Sequence, residues 1–217
     1  MLKVLLFVPH HVDAVAINHD LVSGLAKSYP EGVDVQLVVS GEHHQALQLE
    51  EYDLIHFFGS WSHAACLLAA KAYSHGVPYI VTPLGGLQPW ETSKRTHTIL
   101  LRRQRQLVEH AAAVHVCGKL EHDNFVSLGW NKRLAVVKNP VLTSQITFEN
   151  AANQIERLYR KVIDSNCQLC LRPEIHDIMG VLLQIGTDPN AFDLNPAFQE
   201  KSKEEFVSQF ARLSPED

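Results

Sequence analysis

The sequence predicts an open α/β fold, a doubly wound parallel sheet, and three observations predict it. Six short apolar runs, at 3–8, 33–39, 54–58, 79–82, 112–116 and 134–138, are rich in Val, Ile and Phe and apolar on both faces. Such runs suit strands buried between two layers. Stretches of helical period separate them, at 18–29, 45–50, 62–75, 96–111 and 119–128. Strand, helix and strand repeated in this way give parallel strands joined by crossover helices.

The elements have local reasons, taken in chain order. The first run is closed by Pro9, which cannot donate to a sheet ladder. Leu21, Leu25 and Ser28 recur at helical spacing, as do Leu67, Ala70 and Lys71. Gly76-Val77-Pro78 then ends a helix and opens the next strand. Asn139-Pro140-Val141 breaks the alternation, and the remainder reads as helical. Residues 148–165 carry Ile155, Leu158, Tyr159, Val162 and Ile163 as one apolar stripe. Pro173 opens a second helix with Ile175, Ile178, Met179, Leu182 and Leu183 on one face. Ser202-Lys203-Glu204-Glu205 forms a capping box ahead of Phe206, Val207 and Phe210. The expected organisation is one Rossmann-like α/β domain over 1–142 and a helical C-terminal extension over 143–217 packing on it.

Composition excludes several classes. The chain has 217 residues, a formal net charge of −5 and a pI near 6.2, which disfavours nucleic acid as a partner. The first apolar run is too short for a signal peptide, and no stretch reaches the roughly 18 apolar residues of a membrane span. Cys66, Cys117, Cys167 and Cys170 fall mostly inside expected helices or strands, as reduced core cysteines do. These features read as a soluble, cytoplasmic protein.

In such a sheet, ligands sit at the carboxyl ends of the strands. The loop after the first strand, residues 9–17, contains no glycine, so neither a dinucleotide fingerprint nor a Walker A loop is present. The loops after the third and fourth strands are richer. They bring Gly59, Ser60, Trp61 and His63 beside Gly85, Gly86, Gln88, Trp90 and Glu91. Two indoles offer stacking faces, the glycines allow close approach, and the polar groups can meet hydroxyls. That mixture suits a sugar or a lipid-linked sugar. The plainer alternative is that Trp61 packs on the core and the glycines only turn the chain.

The same stretch resembles the first, acceptor-side domain of family-4-type GT-B glycosyltransferases. Those domains carry a pattern similar to I-H-x-x-G-x-W-S-H, then G-V-P-Y-x-V-(S/T)-P, a glycine-containing loop and P-W. Here the pattern reads Ile55-His56-Phe57-Phe58-Gly59-Ser60-Trp61-Ser62-His63, Gly76-Val77-Pro78-Tyr79-Ile80-Val81-Thr82-Pro83, Gly85-Gly86 and Pro89-Trp90. Ala111 to His115 and Asn139-Pro140-Val141 match later pieces, so the resemblance covers about residues 1–142. It implies half of a GT-B fold, glycosyltransferase-like function in bacterial polysaccharide or glycoconjugate synthesis, and a sugar or lipid-linked sugar acceptor. No cofactor, metal or catalytic residue is assigned.

Three departures qualify what the resemblance implies. Relatives often have His directly after the proline of the fourth-strand loop, where this chain has Leu84, which can neither hydrogen-bond nor take a proton. The glycine-rich first loop of many relatives is missing. The donor domain with its Glu-x7-Glu signature is also expected to be missing, since Glu42 and Glu50 have that spacing but follow the second strand. Residues 150–165 resemble the helix that returns from the donor domain in such enzymes. Two readings stay open: the acceptor half of a split enzyme, completed by a donor-domain subunit, or a glycan-binding or scaffold protein without catalysis.

Weaker signals complete the reading. Lys94, Arg95, Arg102, Arg103 and Arg105 surround a helix bearing Ile99, Leu100, Leu101, Leu107 and Val108. Related acceptor domains use such helices for peripheral contact with an anionic inner membrane. Cys167, Cys170 and His176 are weak candidates for zinc, with Leu169 and Leu171 pointing instead to core packing. His10, His11, Asp13 and His19 could hold a stray metal ion or simply lead into a helix.

Overall fold

The computed structural model describes residues 1–40, 47–95 and 98–165. Six parallel strands form one sheet: β1 Leu2–Val8, β2 Val33–Val39, β3 Leu54–Phe58, β4 Tyr79–Thr82, β5 Ala113–Val116 and β6 Leu134–Val136. Their spatial order is β2-β1-β3-β4-β5-β6. Register runs Leu2↔Val33 to Val8↔Val39 on one side of β1 and Val4↔Leu54 to Phe7↔Phe57 on the other. The strand order therefore reverses between β1 and β3, the place where open α/β sheets gather ligands.

Seven helices accompany the sheet among the described residues: α1 His10–Asp13, α2 Ala16–Ser28, α3 His63–Ser74, α4 Pro89–Thr92, α5 Ile99–Glu109, α6 Lys119–Leu128 and α7 Phe148–Asp164. The helix expected at 45–50 is replaced by a single 3-10 turn at Leu49–Glu51, with 41–46, including Glu42, outside the described residues. Helices α1 and α4 fall within stretches expected to be loops. Each has four residues, too few to show a period, and each is opened by a proline, Pro9 before α1 and Pro89 as the first residue of α4. Side-chain caps fix three longer helices: Ser62 accepts from the Ala65 N–H, Thr98 from Leu101 and Thr147 from Asn150.

Alternation along the strands sorts the core into two layers. Leu5, Phe7, Ile55, Phe57, Tyr79, Val81, Val114 and Val116 pack with buried residues of α3, α5 and α6. His56, Thr82 and His115 belong to the opposite face, which α2 and α7 cover. There Phe148, the first residue of α7, lies against Gly24 of α2: a Cβ at Gly24 would stand 2.3 Å from the ring. Ala151, Ala152, Ile155, Tyr159 and Val162 of α7 are buried, while Leu158 is half-buried. The helix expected from Pro173, the capping box at 202–205 and the Cys167, Cys170 and His176 group lie outside the described residues.

One polar chain crosses this apolar layer. The Val137 carbonyl can only accept, so His115 donates to it from Nε2 at 3.2 Å. His115 Nδ1 is then an acceptor, which takes the Thr82 hydroxyl at 2.7 Å. Thr82 Oγ1 in turn accepts from His56 Nε2 at 2.7 Å, and His56 Nδ1 accepts from the Tyr159 hydroxyl at 2.6 Å. Tyr29 closes the chain by donating to Tyr159 at 2.7 Å. In this direction each group of the chain finds a partner with both imidazoles neutral, the state that burial favours.

Candidate functional site

The loops at the carboxyl edge of the sheet are fastened to one another. After β1, His11 Nε2 donates to the Ser60 carbonyl at 3.1 Å. Val12 beside it packs on Gly59, where φ is +85° and a Cβ would lie 2.4 Å from Val12 Cγ2. Ser60 Oγ, after β3, donates to the Pro83 carbonyl after β4 at 3.2 Å. The Trp61 indole N–H donates to the Gly86 carbonyl at 2.5 Å. Gly86 lies flush on Ser60, since a Cβ there would be 2.7 Å from Ser60 Cβ. Glu121 of α6 accepts from the Gly85 N–H at 2.6 Å and from the Cys117 N–H at 2.8 Å, tying the loops after β4 and β5. Side-chain and close packing contacts thus join the ends of β1, β3, β4 and β5.

Backbone strain concentrates in the same place. Trp61 and Leu84 are the non-glycine residues with positive φ among the described residues, at 64° and 52°. Bulky residues rarely adopt that conformation, and it persists only where the surroundings dictate it. For Trp61 the surroundings are explicit. Its backbone N–H donates to Gln104 Oε1 at 2.7 Å, and the Arg95 guanidinium lies 4.6 Å from the ring centroid. For Leu84 the constraint is the next residue, Gly85, held by Glu121.

The expected site residues divide into two groups. Gly59, Ser60, Trp61, Gly85 and Gly86 lie in the fastened loops, with Ser60 buried and Trp61 half-buried against the core. Gln88 is buried and accepts from Asn124 Nδ2. His63, Trp90 and Glu91 face outward more. His63 is exposed and accepts from Arg103 Nη1 at 2.8 Å, and Trp90 is 55% exposed on α4. Glu91 pairs with Lys94 at 2.7 Å and Arg95 at 2.9 Å, and these two hydrogen bonds, Lys94 first, hold its carboxyl below the usual range. Burial, reinforced by Glu121, pushes the Cys117 thiol up to about 12, so it is not a nucleophile.

Gln104, Glu121 and Asn124 escape the sequence reading although they set this geometry. Gln104 had a signal: it stands three or four residues from Leu100, Leu101, Leu107 and Val108, a polar residue on an apolar face. Glu121 had none, because an acid in the first turn of a helix is commonplace. Among the described residues no group of three His, Cys, Asp or Glu side chains is placed to hold a metal ion; Asp13 pairs with His19 at 3.1 Å. No described helix is long and apolar enough to cross a membrane.

A six-stranded parallel sheet with its loops joined at one edge defines a Rossmann-like domain of the kind that makes up half of a GT-B fold. The chain belongs to the glycosyl transferase 4-like domain family, whose match spans residues 12–140, in agreement with the resemblance to the acceptor-side domain of family-4-type enzymes. No curated protein matches the sequence. Among solved structures, the UDP-GlcNAc 2-epimerase from Neisseria meningitidis bound to UDP-GlcNAc is similar at 11% identity and TM-score 0.47, over 76% of this chain and 53% of that one. The chain thus spans about half the length of that enzyme. A conserved protein from Enterococcus faecalis V583 is similar at 13% identity and TM-score 0.35, over 73% of this chain and 99% of that one.

Proposed function

We propose that this glycosyltransferase-like domain forms the acceptor-binding half of a transfer cleft in bacterial polysaccharide or glycoconjugate synthesis. The observation that carries the reading is the fastening of the loops after β3 and β4, Ser60 to Pro83 and Trp61 to Gly86, under two strained residues. Strain held by several independent contacts is characteristic of preorganised sites. The acceptor is a sugar or lipid-linked sugar, met by the exposed Trp90 indole, with Glu91 on the same short helix and Gln88 buried at its start. In this reading the donor nucleotide is held by the other half of the cleft, which the 12–140 family match does not supply.

A second reading, glycan binding without catalysis, is favoured by Leu84. It occupies the place where relatives often have His, and its left-handed backbone holds an aliphatic side chain there. The segment from Trp90 to Arg105 also supports peripheral contact with an anionic membrane, because Trp90 and Ile99 are exposed beside Lys94 and Arg102. The test is a transfer assay on the purified 217-residue chain across a panel of nucleotide sugars. The expected result is no turnover with any donor; turnover by the isolated chain overturns the division of labour.

A further inference from the structure

We infer that His11 is the hydrogen-bond acceptor for a ligand hydroxyl at the β1/β3 reversal of the sheet. The inference rests on the acceptor-site reading and extends it to a third loop, and to a histidine that the sequence offers only within a group able to hold a stray metal ion or to lead into a helix.

The tautomer follows from the contact. His11 Nε2 lies 3.1 Å from the Ser60 carbonyl oxygen, which can only accept, so the ring proton sits on Nε2. In the neutral ring the lone pair is then on Nδ1, which has no hydrogen-bond partner among the described residues. The ring is exposed, so this lone pair is available. Its position is also fixed. Val12, the next residue, is wedged against Gly59, and the His10 N–H donates to Ser40 Oγ at 2.9 Å, anchoring α1 at the ends of both β2 and β3.

The other polar groups of the edge are largely engaged. Ser60 donates to Pro83, Trp61 to Gly86, Gln88 accepts from Asn124, His63 accepts from Arg103, and Glu91 is held by Lys94 and Arg95. His11 therefore contributes a ring nitrogen with no partner among the described residues at the point where sheets of this topology bind ligands. An acceptor selects a donor, and the hydroxyls of a sugar are donors of that kind. A fully ionised group such as a carboxylate or a phosphodiester brings no proton to share and would meet a lone pair.

The experiment is an NMR titration of the full chain, observing the imidazole nitrogens of His11, with methyl glycosides of glucose, galactose, mannose and N-acetylglucosamine as probes. In the free protein the spectrum should show the Nε2–H tautomer. A binding glycoside should shift the His11 Nδ1 resonance, and His11→Ala should weaken that glycoside by about fivefold to tenfold, the effect of one hydrogen bond. An Nδ1–H tautomer overturns the inference without any variant. If a glycoside binds, Trp90→Ala weakens it, and neither the His11 resonance nor His11→Ala responds, the inference fails while the acceptor site stands. If none of the glycosides binds, both fall together.

Discussion

Tyr159 of α7 donates a 2.6 Å hydrogen bond to His56 of β3, joining residues 103 positions apart at the buried face of the sheet. The ring edges meet at 89° with centroids 5.6 Å apart, and Tyr29 stacks on the other side of Tyr159. Burial raises both tyrosine hydroxyls well above their ordinary pKa, so they act as neutral donors throughout the physiological range. Helix α7 is thereby coupled to Thr82, one residue before the loop that carries Leu84 and Gly85.

Replacing Tyr159 by Phe should therefore destabilise the protein by about 1–3 kcal/mol, because the buried His56 Nδ1 and the Tyr29 hydroxyl both lose a partner. Urea unfolding of the variant against the parent checks this. An unchanged midpoint with an unchanged slope would show that the chain of hydrogen bonds contributes nothing to stability.

The same chain fixes a pH dependence. Burial lowers His115 from 6.5 to about 4, and burial followed by the neighbouring His115 lowers His56 well below 6.5. The unfolded chain therefore takes up protons where the folded chain does not. Stability is fully present above about 6.5 and is lost as pH falls toward 4, by up to about 1.4 kcal/mol per pH unit for each histidine. Melting temperatures taken from pH 7.5 to pH 5 should fall; a constant or rising value contradicts neutral imidazoles.

Shortening the chain to residues 1–144 removes α7 and uncovers its partners on α2 and the sheet. Ile155, Tyr159 and Val162 are each at most 1% exposed, so their loss costs on the order of several kcal/mol, comparable to the stability of a domain. The fragment is expected to be insoluble or partly unfolded by circular dichroism. A soluble fragment melting with the parent refutes a supporting role for α7.

Gly59→Ala should cost about 1–3 kcal/mol, since the position has φ +85° and the new methyl meets Val12. Adding Val12→Ala should recover part of the loss, and the two effects should be non-additive. Strict additivity in thermal melts would mean that the loops after β1 and β3 are not packed as a unit.

The sheet is legible in the sequence as short runs rich in Val, Ile and Phe; β1, β3, β4 and β5 are buried as such runs predict, whereas the edge strands β2 and β6 hold no buried residue. All six strands fall within two residues of those runs. The helix expected at 45–50 spans six residues, too few to fix a helical period, and its described part makes only a turn at Leu49–Glu51. The site was legible as a set of residues, since glycines and tryptophans in βα loops stand out. Its fastening was not. The bonds from Gln104 to Trp61 and from Glu121 to Gly85 span 43 and 36 positions, and no local pattern encodes contacts that distant.

Recognition of a glycan by the fastened loops is the property on which the proposed function depends. Calorimetric titration of the full chain with methyl glycosides, alongside Trp90→Ala, tests this most directly. Trp90 is 55% exposed on a four-residue helix, so its removal should leave the melting temperature nearly unchanged. At least one glycoside should bind measurably, with a loss of about tenfold or more in the variant, as expected when a stacking indole is removed. Equal affinity of the two proteins, or no binding to either, would contradict the proposed function.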